Sequence, residues 1–162
     1  MAQVDAFLKL DGVKGGSIDS KHPDEIEILS WSWGVANSGS AQTSTGAGAG
    51  KASVADLTIM KLMDVSSPIL VKNSVTGTHI ANGLLTIRKA GGDSPLEYFK
   101  FKLQKVLISS YQVSGSDGNP DLTESVSFNF QKFDIVYTPQ DNTGAAGAGV
   151  EFGYDIAANK SA

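Results

Sequence analysis

The stretch Asp24-Glu-Ile-Glu-Ile-Leu-Ser-Trp-Ser-Trp-Gly-Val35 decides how this chain reads. Side chains of an extended strand alternate between its two faces. One face carries Glu25, Glu27, Leu29, Trp31, Trp33 and Val35; the other carries Ile26, Ile28, Ser30, Ser32 and Gly34. The first face is polar at its start and apolar later. The second is apolar at its start, then small and polar. A strand whose faces exchange character in this way crosses from one environment into another. Both tryptophans of the chain lie in it. Residues 37–50 follow as Asn-Ser-Gly-Ser-Ala-Gln-Thr-Ser-Thr-Gly-Ala-Gly-Ala-Gly, and no large apolar residue returns until Val54. An unstructured run of that length inside a compact domain implies either function or disorder. A Trp-bearing strand therefore feeds a soft extended loop at residues 37–51, an arm suited to ordering on a partner.

Working outward, residues 6–11 read as a strand with Leu8 and Leu10 on one face and Phe7 on the other. Residues 53–63 alternate with apolar groups on both faces, the pattern of a strand covered on both sides. Residues 66–76 are the helix: Ser66 or Ser67 serves as N-cap, Pro68 suits the first turn and Gly77 the stop. Leu70, Val71, Ser74 and Val75 would share its buried face. Residues 80–89, 97–113, 123–138 and 150–156 are further strands, 114–119 is a turn cluster, and 158–162 is a frayed tail. In residues 123–138 the apolar parity flips near Gln131-Lys132. A β-bulge there, or a strand passing between two layers, would account for the flip. About seven strands and one short helix make a mainly β chain, a barrel or a sandwich, in a single domain spanning 1–162.

Composition narrows the function classes. The net charge of −4 and isoelectric point of about 5.0 disfavour nucleic-acid binding, which draws its affinity from Lys and Arg on phosphate. There is no cysteine, which removes disulfides, thiolate catalysis and thiolate metal sites. The N-terminus has no basic, apolar leader pattern, so no signal peptide is expected. No 18-residue apolar window exists, so no membrane insertion is expected either.

Catalysis has little to work with. His22 and His79 are the only imidazoles, and each reads as a surface or strand-end histidine. No Gly-x-Ser-x-Gly elbow is present. Residues 45–52 imitate a phosphate loop but lack its first glycine and the hydroxyl after Lys51, and a strand follows in place of a helix. Asp117, Asn119 and Asp121 begin like a calcium loop, yet Leu122 stands where glycine is required and Phe128 where Glu is. No enzyme, cofactor or metal is expected. Trp31 and Trp33 could form a sugar-stacking platform on a carbohydrate-binding β-sandwich. Core or interface anchoring outweighs that alternative, because aromatic side chains bury large areas. A hydrolase with an unrecognised Ser-His site is a third reading.

A set of ordered motifs resembles one family. They are Leu8-Lys-Leu-Asp-Gly12, His22, Glu25-Ile-Glu-Ile-Leu-Ser-Trp-Ser-Trp-Gly34, the Gly/Ala-rich loop ending at Gly50-Lys51, and Asp64 with Ser67-Pro-Ile-Leu70. Then come Ile87-Arg-Lys-Ala-Gly-Gly92, Leu96-Glu-Tyr98, Leu122-Thr-Glu-Ser-Val126, Tyr137 with Gln140, and Gly153-Tyr-Asp155. Together they resemble Hcp, the haemolysin-coregulated protein family that forms the inner tube of bacterial type VI secretion systems. Tyr154 stands where some members carry Trp.

The resemblance implies a small β-barrel of two packed antiparallel sheets with one short α-helix on its side. It implies a homohexameric ring with an open lumen, rings stacking into a tube, sheath and spike components as partners, and small secreted effectors held in the lumen. It also implies synthesis in the bacterial cytoplasm and export by the type VI system itself. On that frame Ser38, Ser40, Gln42, Gly46, Gly48 and Lys51 are the candidate ring-stacking residues. Ser32 and Ser116 are candidate lumen positions, and Trp31 and Trp33 are packing or interface anchors.

Overall fold

The computed structural model describes residues 4–39, 51–89 and 95–162. Its elements are β1 (Val4–Leu10), β2 (Ile26–Glu27), β3 (Ser30–Ser32), β4 (Val35–Asn37), β5 (Ala52–Val54), β6 (Leu57–Leu62), α1 (Ser67–Thr76), β7 (Ile80–Lys89), β8 (Glu97–Ser116), β9 (Asn119–Tyr137), β10 (Val150–Asp155) and β11 (Lys160–Ser161). The mainly β class with one short helix stands as read. Nine strands form one antiparallel sheet in the order β11-β10-β9-β8-β7-β1-β2, with β6 joined to β9 and β3 to β6; β4 and β5 make a separate two-stranded ribbon. Strand β9 is long enough for two neighbours on one edge. Residues 123–128 pair with β6, and residues 132–137 pair with β10.

The single strand expected over residues 24–35 is three short ones. Its first piece bonds β1, with Leu8 opposite Ile26, and its second bonds β6, with Trp31 opposite Ile59. The handover falls between adjacent residues: the Ile28 amide donates to Ala6 O at 2.9 Å and the Leu29 amide to Met60 O at 2.8 Å. Here is the change of environment that the alternating faces announced. The barrel of two packed sheets is thus corrected to one nine-stranded sheet, whose two edges this crossing strand joins without closing the ladder, with a separate two-stranded ribbon.

The parity flip in β9 is real and is shared by its neighbours. Buried positions are even from Glu124 to Phe130 and odd at Phe133. On β8 they are odd at Phe101 and Leu103 and even at Val106 and Ile108. On β7 they change between Ile80 and Gly83. Register is kept across the break, with Gln104 opposite Lys132 and Val106 opposite Phe130. Asn82 is likewise opposite Gln104, and Ile80 opposite Val106. Three strands thus crease together, and Lys105 on the crease takes φ 55. The register shifts of this ladder lie further along β8, between Ile108 and Ser110 and between Ser114 and Ser116.

Two local expectations are corrected. The turn cluster shrinks to Asp117-Gly118, with Ser116 paired to Asn119 as strand and Gly118 at φ 83, the second central position that a type II turn reserves for glycine. The supposed frayed tail adds β11 to the sheet edge, with Tyr154 opposite Ser161.

The helix starts and stops where expected, with Gly77 at φ 67 donating its amide to Asn73 O. Ser66 gives no side-chain cap bond. Asp64 does this work instead, its Oδ1 accepting the Ser66 amide at 2.9 Å. The buried helical residues are Ser67 and Leu70, while Val71 and Val75 face outward. The helix is rotated away from its most apolar face because Ser67 is bonded into a polar network beneath it.

Candidate functional site

Residues directly opposite one another in a ladder point to the same side of a sheet. Ser32 lies opposite Thr58, Thr58 opposite Ser127, and Ser127 opposite Ser110. This makes a row of four hydroxyls across β3, β6, β9 and β8, with Thr58 Oγ1 and Ser127 Oγ 2.9 Å apart. The next row is Ser30, Met60, Ser125 and Gln112. One row on, Thr123 lies between Leu62 and Ser114. No charged side chain interrupts these rows. At their margin Asp56 accepts from Ser109 Oγ at 2.6 Å and Asn129 Nδ2 at 2.9 Å. The wall forms because each of these strands alternates a core residue with a short polar one, as in Val126-Ser-Phe128.

The opposite side of the same strands is the core. Trp31 faces inward and stacks on Phe99 at 5.4 Å, and Trp33 meets Phe101 at 4.7 Å and Phe133 at 4.9 Å edge-on. Trp33 is half-buried against those two rings. Trp31 is 37% exposed and belongs to an uncovered apolar margin with Tyr137, Val150 and Phe152. Beneath the hydroxyl wall lies a buried ionic cluster. Lys61 and Glu124 are both fully buried and paired. Lys61 Nζ also reaches Asp64 Oδ1 and Ser67 Oγ, each at 3.1 Å. Ser67 Oγ donates to Glu124 Oε1 at 2.8 Å, and the Tyr111 hydroxyl donates to Glu124 Oε2. Burial works against the Asp64 charge, but hydrogen bonds from Ser66 and Lys61 more than offset it and lower its pKa.

Beyond the crease the solvent-facing residues change. Lys102 lies opposite Asp134, Lys100 opposite Val136 and Gln104 opposite Lys132. Asp155 faces Lys132 and Glu151 faces Val136 on β10. This wall is a mosaic of charges. The Glu151 carboxyl is raised, first by a hydrogen bond with Asp134 and then by its charge.

At the upper end of this wall the segment 17–25 folds over β1. Arg88 is bonded to Asp19 and lies over the Phe7 ring at 4.9 Å. Its Nε donates to Asp5 Oδ2 at 3.2 Å. The Arg88 hydrogen bond holds Asp19 down at about 2, and Arg88 itself is raised by Asp19. His22, expected at the surface, is buried. It stacks on Phe7 at 4.5 Å, and its Nδ1 is 2.9 Å from Glu25 Oε2, so burial of the exposed side of Phe7 accounts for its position. His79 is exposed just before β7, at a strand end as expected.

Of the expected site residues, Ser32 lies in the hydroxyl row and is exposed. Ser116 is exposed at the last position of β8, six residues along β8 from Ser110. At ~3.3 Å per residue that is about 20 Å from the Ser32 row, so one chain does not bring the two serines together. Ser38 and Lys51 flank the β4–β5 ribbon and are exposed. Ser40, Gln42, Gly46 and Gly48 lie outside the described residues. Sequence reading missed Thr58, Ser110, Ser125 and Ser127. The alternation in β9 was visible, but only pairing shows that four strands align their hydroxyls.

The family model described as "Type VI secretion system effector, Hcp" matches residues 7–137. The chain is 49% identical over 160 residues to Protein hcp1 of Pseudomonas aeruginosa, covering 98% of this chain and 99% of that one. Among solved structures it is similar to one described as a type six secretion system protein, at 34% identity and TM-score 0.91, covering 98% and 99% of the two chains. It is also similar to Hcp1 of Salmonella typhimurium, at 35% identity and TM-score 0.83, covering 99% and 100%. With most of its length matched by the family model and by relatives sharing its fold, the chain belongs to the Hcp family of type VI secretion proteins.

Proposed function

We propose that this chain is a tube subunit that forms hexameric rings, with the hydroxyl wall facing the lumen and the arm at residues 37–51 joining ring to ring. The observation that carries the reading is the row Ser32–Thr58–Ser127–Ser110, opposite the core and free of charge. A passage that carries varied small effectors is served by such a surface. Hydroxyls exchange hydrogen bonds with water or cargo at little net cost, and no fixed charge rejects a cargo of like sign.

Ring closure needs a heterologous contact whose rotation closes. The uncovered apolar margin of Trp31, Tyr137, Val150 and Phe152 supplies area for it. The charged wall then faces outward, toward the sheath. Export proceeds by the secretion machine. No helix among the described residues is long and apolar enough to cross a membrane.

The test is Ser32→Gln together with a deletion of residues 40–48. Ser32→Gln leaves rings of normal size on gel filtration and lowers effector levels in producing cells. The deletion keeps rings and abolishes tubes by negative stain. Unchanged effector levels with Ser32→Gln remove the lumen assignment, and tubes of normal length from the deletion remove the arm's role.

A further inference from the structure

Where the crossing strand leaves β1 for β6, a cavity of about 370 Å³ opens at the surface. Its apolar lining includes the exposed Val4, Leu29, Leu62 and Met63, with the buried Phe7 and Ile28 behind them. In β1 the odd residues bond β7, as the Asp11 amide does to Asn82 O. Val4 therefore turns its backbone toward the side the crossing strand has already left. In β6 the odd residues bond β9, as the Met63 amide does to Leu122 O just past the strand's end, and Leu62 turns its backbone toward the same gap. Neither Val4 nor Leu62 is paired in the ladders on that side. The cavity is bordered by two stretches of unused strand edge, the kind of site that accepts an extended peptide.

Its charge is negative. Asp5, Glu27 and Asp64 line it. Asp5 is matched by Arg88 and Asp64 by Lys61 within the chain. Glu27 is exposed and has no hydrogen-bond or ion-pair partner among the described residues. The segment 37–51 carries one charged residue, Lys51, and that is likewise exposed and unpartnered among the described residues. Everything else in the segment is small or an uncharged amide or hydroxyl, so its backbone can approach an edge closely.

The two features lie at opposite ends of one strand: the cavity borders Ile28 and Leu29, and the ribbon carrying the arm begins at Val35. An arm at one end and an acceptor at the other make a heterologous contact that repeats without closing, the geometry of a filament.

We propose that this cavity is the acceptor for residues 37–51 of a second copy of the chain, with Lys51 of the incoming arm pairing with Glu27. The assignment rests on the ring-stacking reading of the arm given above. Residue-by-residue charge exchange tests it. Glu27→Lys and Lys51→Glu each keep rings and lose tubes, and the double variant regains them.

Because the chain has no cysteine, Glu27→Cys rings mixed with Lys51→Cys rings give a disulfide that can only join different chains, and a cross-linked dimer on a non-reducing gel is expected. If a charge variant fails to fold, this cross-link decides alone. Deleting 40–48 may not be substituted for it, since that deletion tests the arm and not its acceptor. If the deletion abolishes tubes while Glu27→Lys grows them normally and no cross-link forms, the acceptor assignment is overturned and the arm's role survives. If the deletion leaves tubes intact, both fall.

Discussion

Strands β8 and β9 present two quite different surfaces on either side of one crease. Below Lys105 and Gln131 the solvent-facing residues are Ser110, Gln112, Ser125 and Ser127; above it they are Lys100, Lys102, Lys132 and Asp134. The same pair of strands, shifted in register by one residue between Ile108 and Ser110, is neutral on one side and charged on the other. Each surface also has its own ionic support. Under the hydroxyl wall, Lys61 and Glu124 are sealed from water and every partner is supplied by the protein. At the end of the charged wall Arg88 is buried, but its partner Asp19 is a quarter exposed. The difference teaches that charge was kept off one surface without being absent from its neighbourhood. It was moved one layer inward, where it holds helix α1 to the sheet.

The comparison is broken most severely at Glu124. Removing one member of a buried pair strands the other, at a cost of about 3–5 kcal/mol. Glu124→Ala is expected to lose that much in urea unfolding. Lys61→Met combined with Glu124→Leu, which removes both charges and keeps volume, should recover most of the loss. A Glu124→Ala protein as stable as the parent would show that the network under the hydroxyl wall has no structural weight.

Asp19 gives a smaller, pH-dependent effect. Its folded carboxyl is depressed, so the stabilisation it gives is complete above about pH 4 and is lost as pH falls toward about 2. Discounted for its exposure, that is roughly 1–2 kcal/mol. Asp19→Asn should flatten this part of the acid unfolding curve. A variant with the parent's acid slope would place the sensitivity elsewhere.

The smallest effect is expected on the charged wall itself. Lys102→Glu should change stability by less than about 0.5 kcal/mol, because exposed pairs are well screened, and it should leave effector levels untouched. A fall in effector retention with Lys102→Glu would mean that the two walls had been assigned to the wrong sides of the tube.

Much of this was legible in the residues. The sequence pattern marked β1, β7, β8, β9 and β10 to within a few positions. Residues 53–63, read as one strand covered on both sides, are instead β5 and β6 in separate sheets, and β6 buries one face only. The parity flip in β9 was also visible as Phe130 gave way to Phe133. Its cause was not, because a crease through three strands leaves no mark that one strand can show alone. The break of residues 24–35 into three pieces escaped notice for a similar reason. Ile28 and Leu29 look alike in sequence, and only their separate partners, Ala6 and Met60, divide them. His22 was misplaced because nothing nearby in sequence tells that Phe7 needs a cover. The helix face was misjudged because apolar spacing favoured Val71 and Val75, while Ser67 was fixed by a carboxylate 57 residues away.

By itself, then, the sequence determined the mainly β class, the helix ends and the likeness to the Hcp family. These depend on local alternation, turn chemistry and ordered motifs, all of which are properties of neighbouring residues. Tertiary structure decided which strands lie side by side. It decided the hydroxyl row through Ser32, the burial of Lys61 with Glu124, and the open cavity beside Glu27. Each of these is set by strand register, and register joins residues that are far apart in the chain.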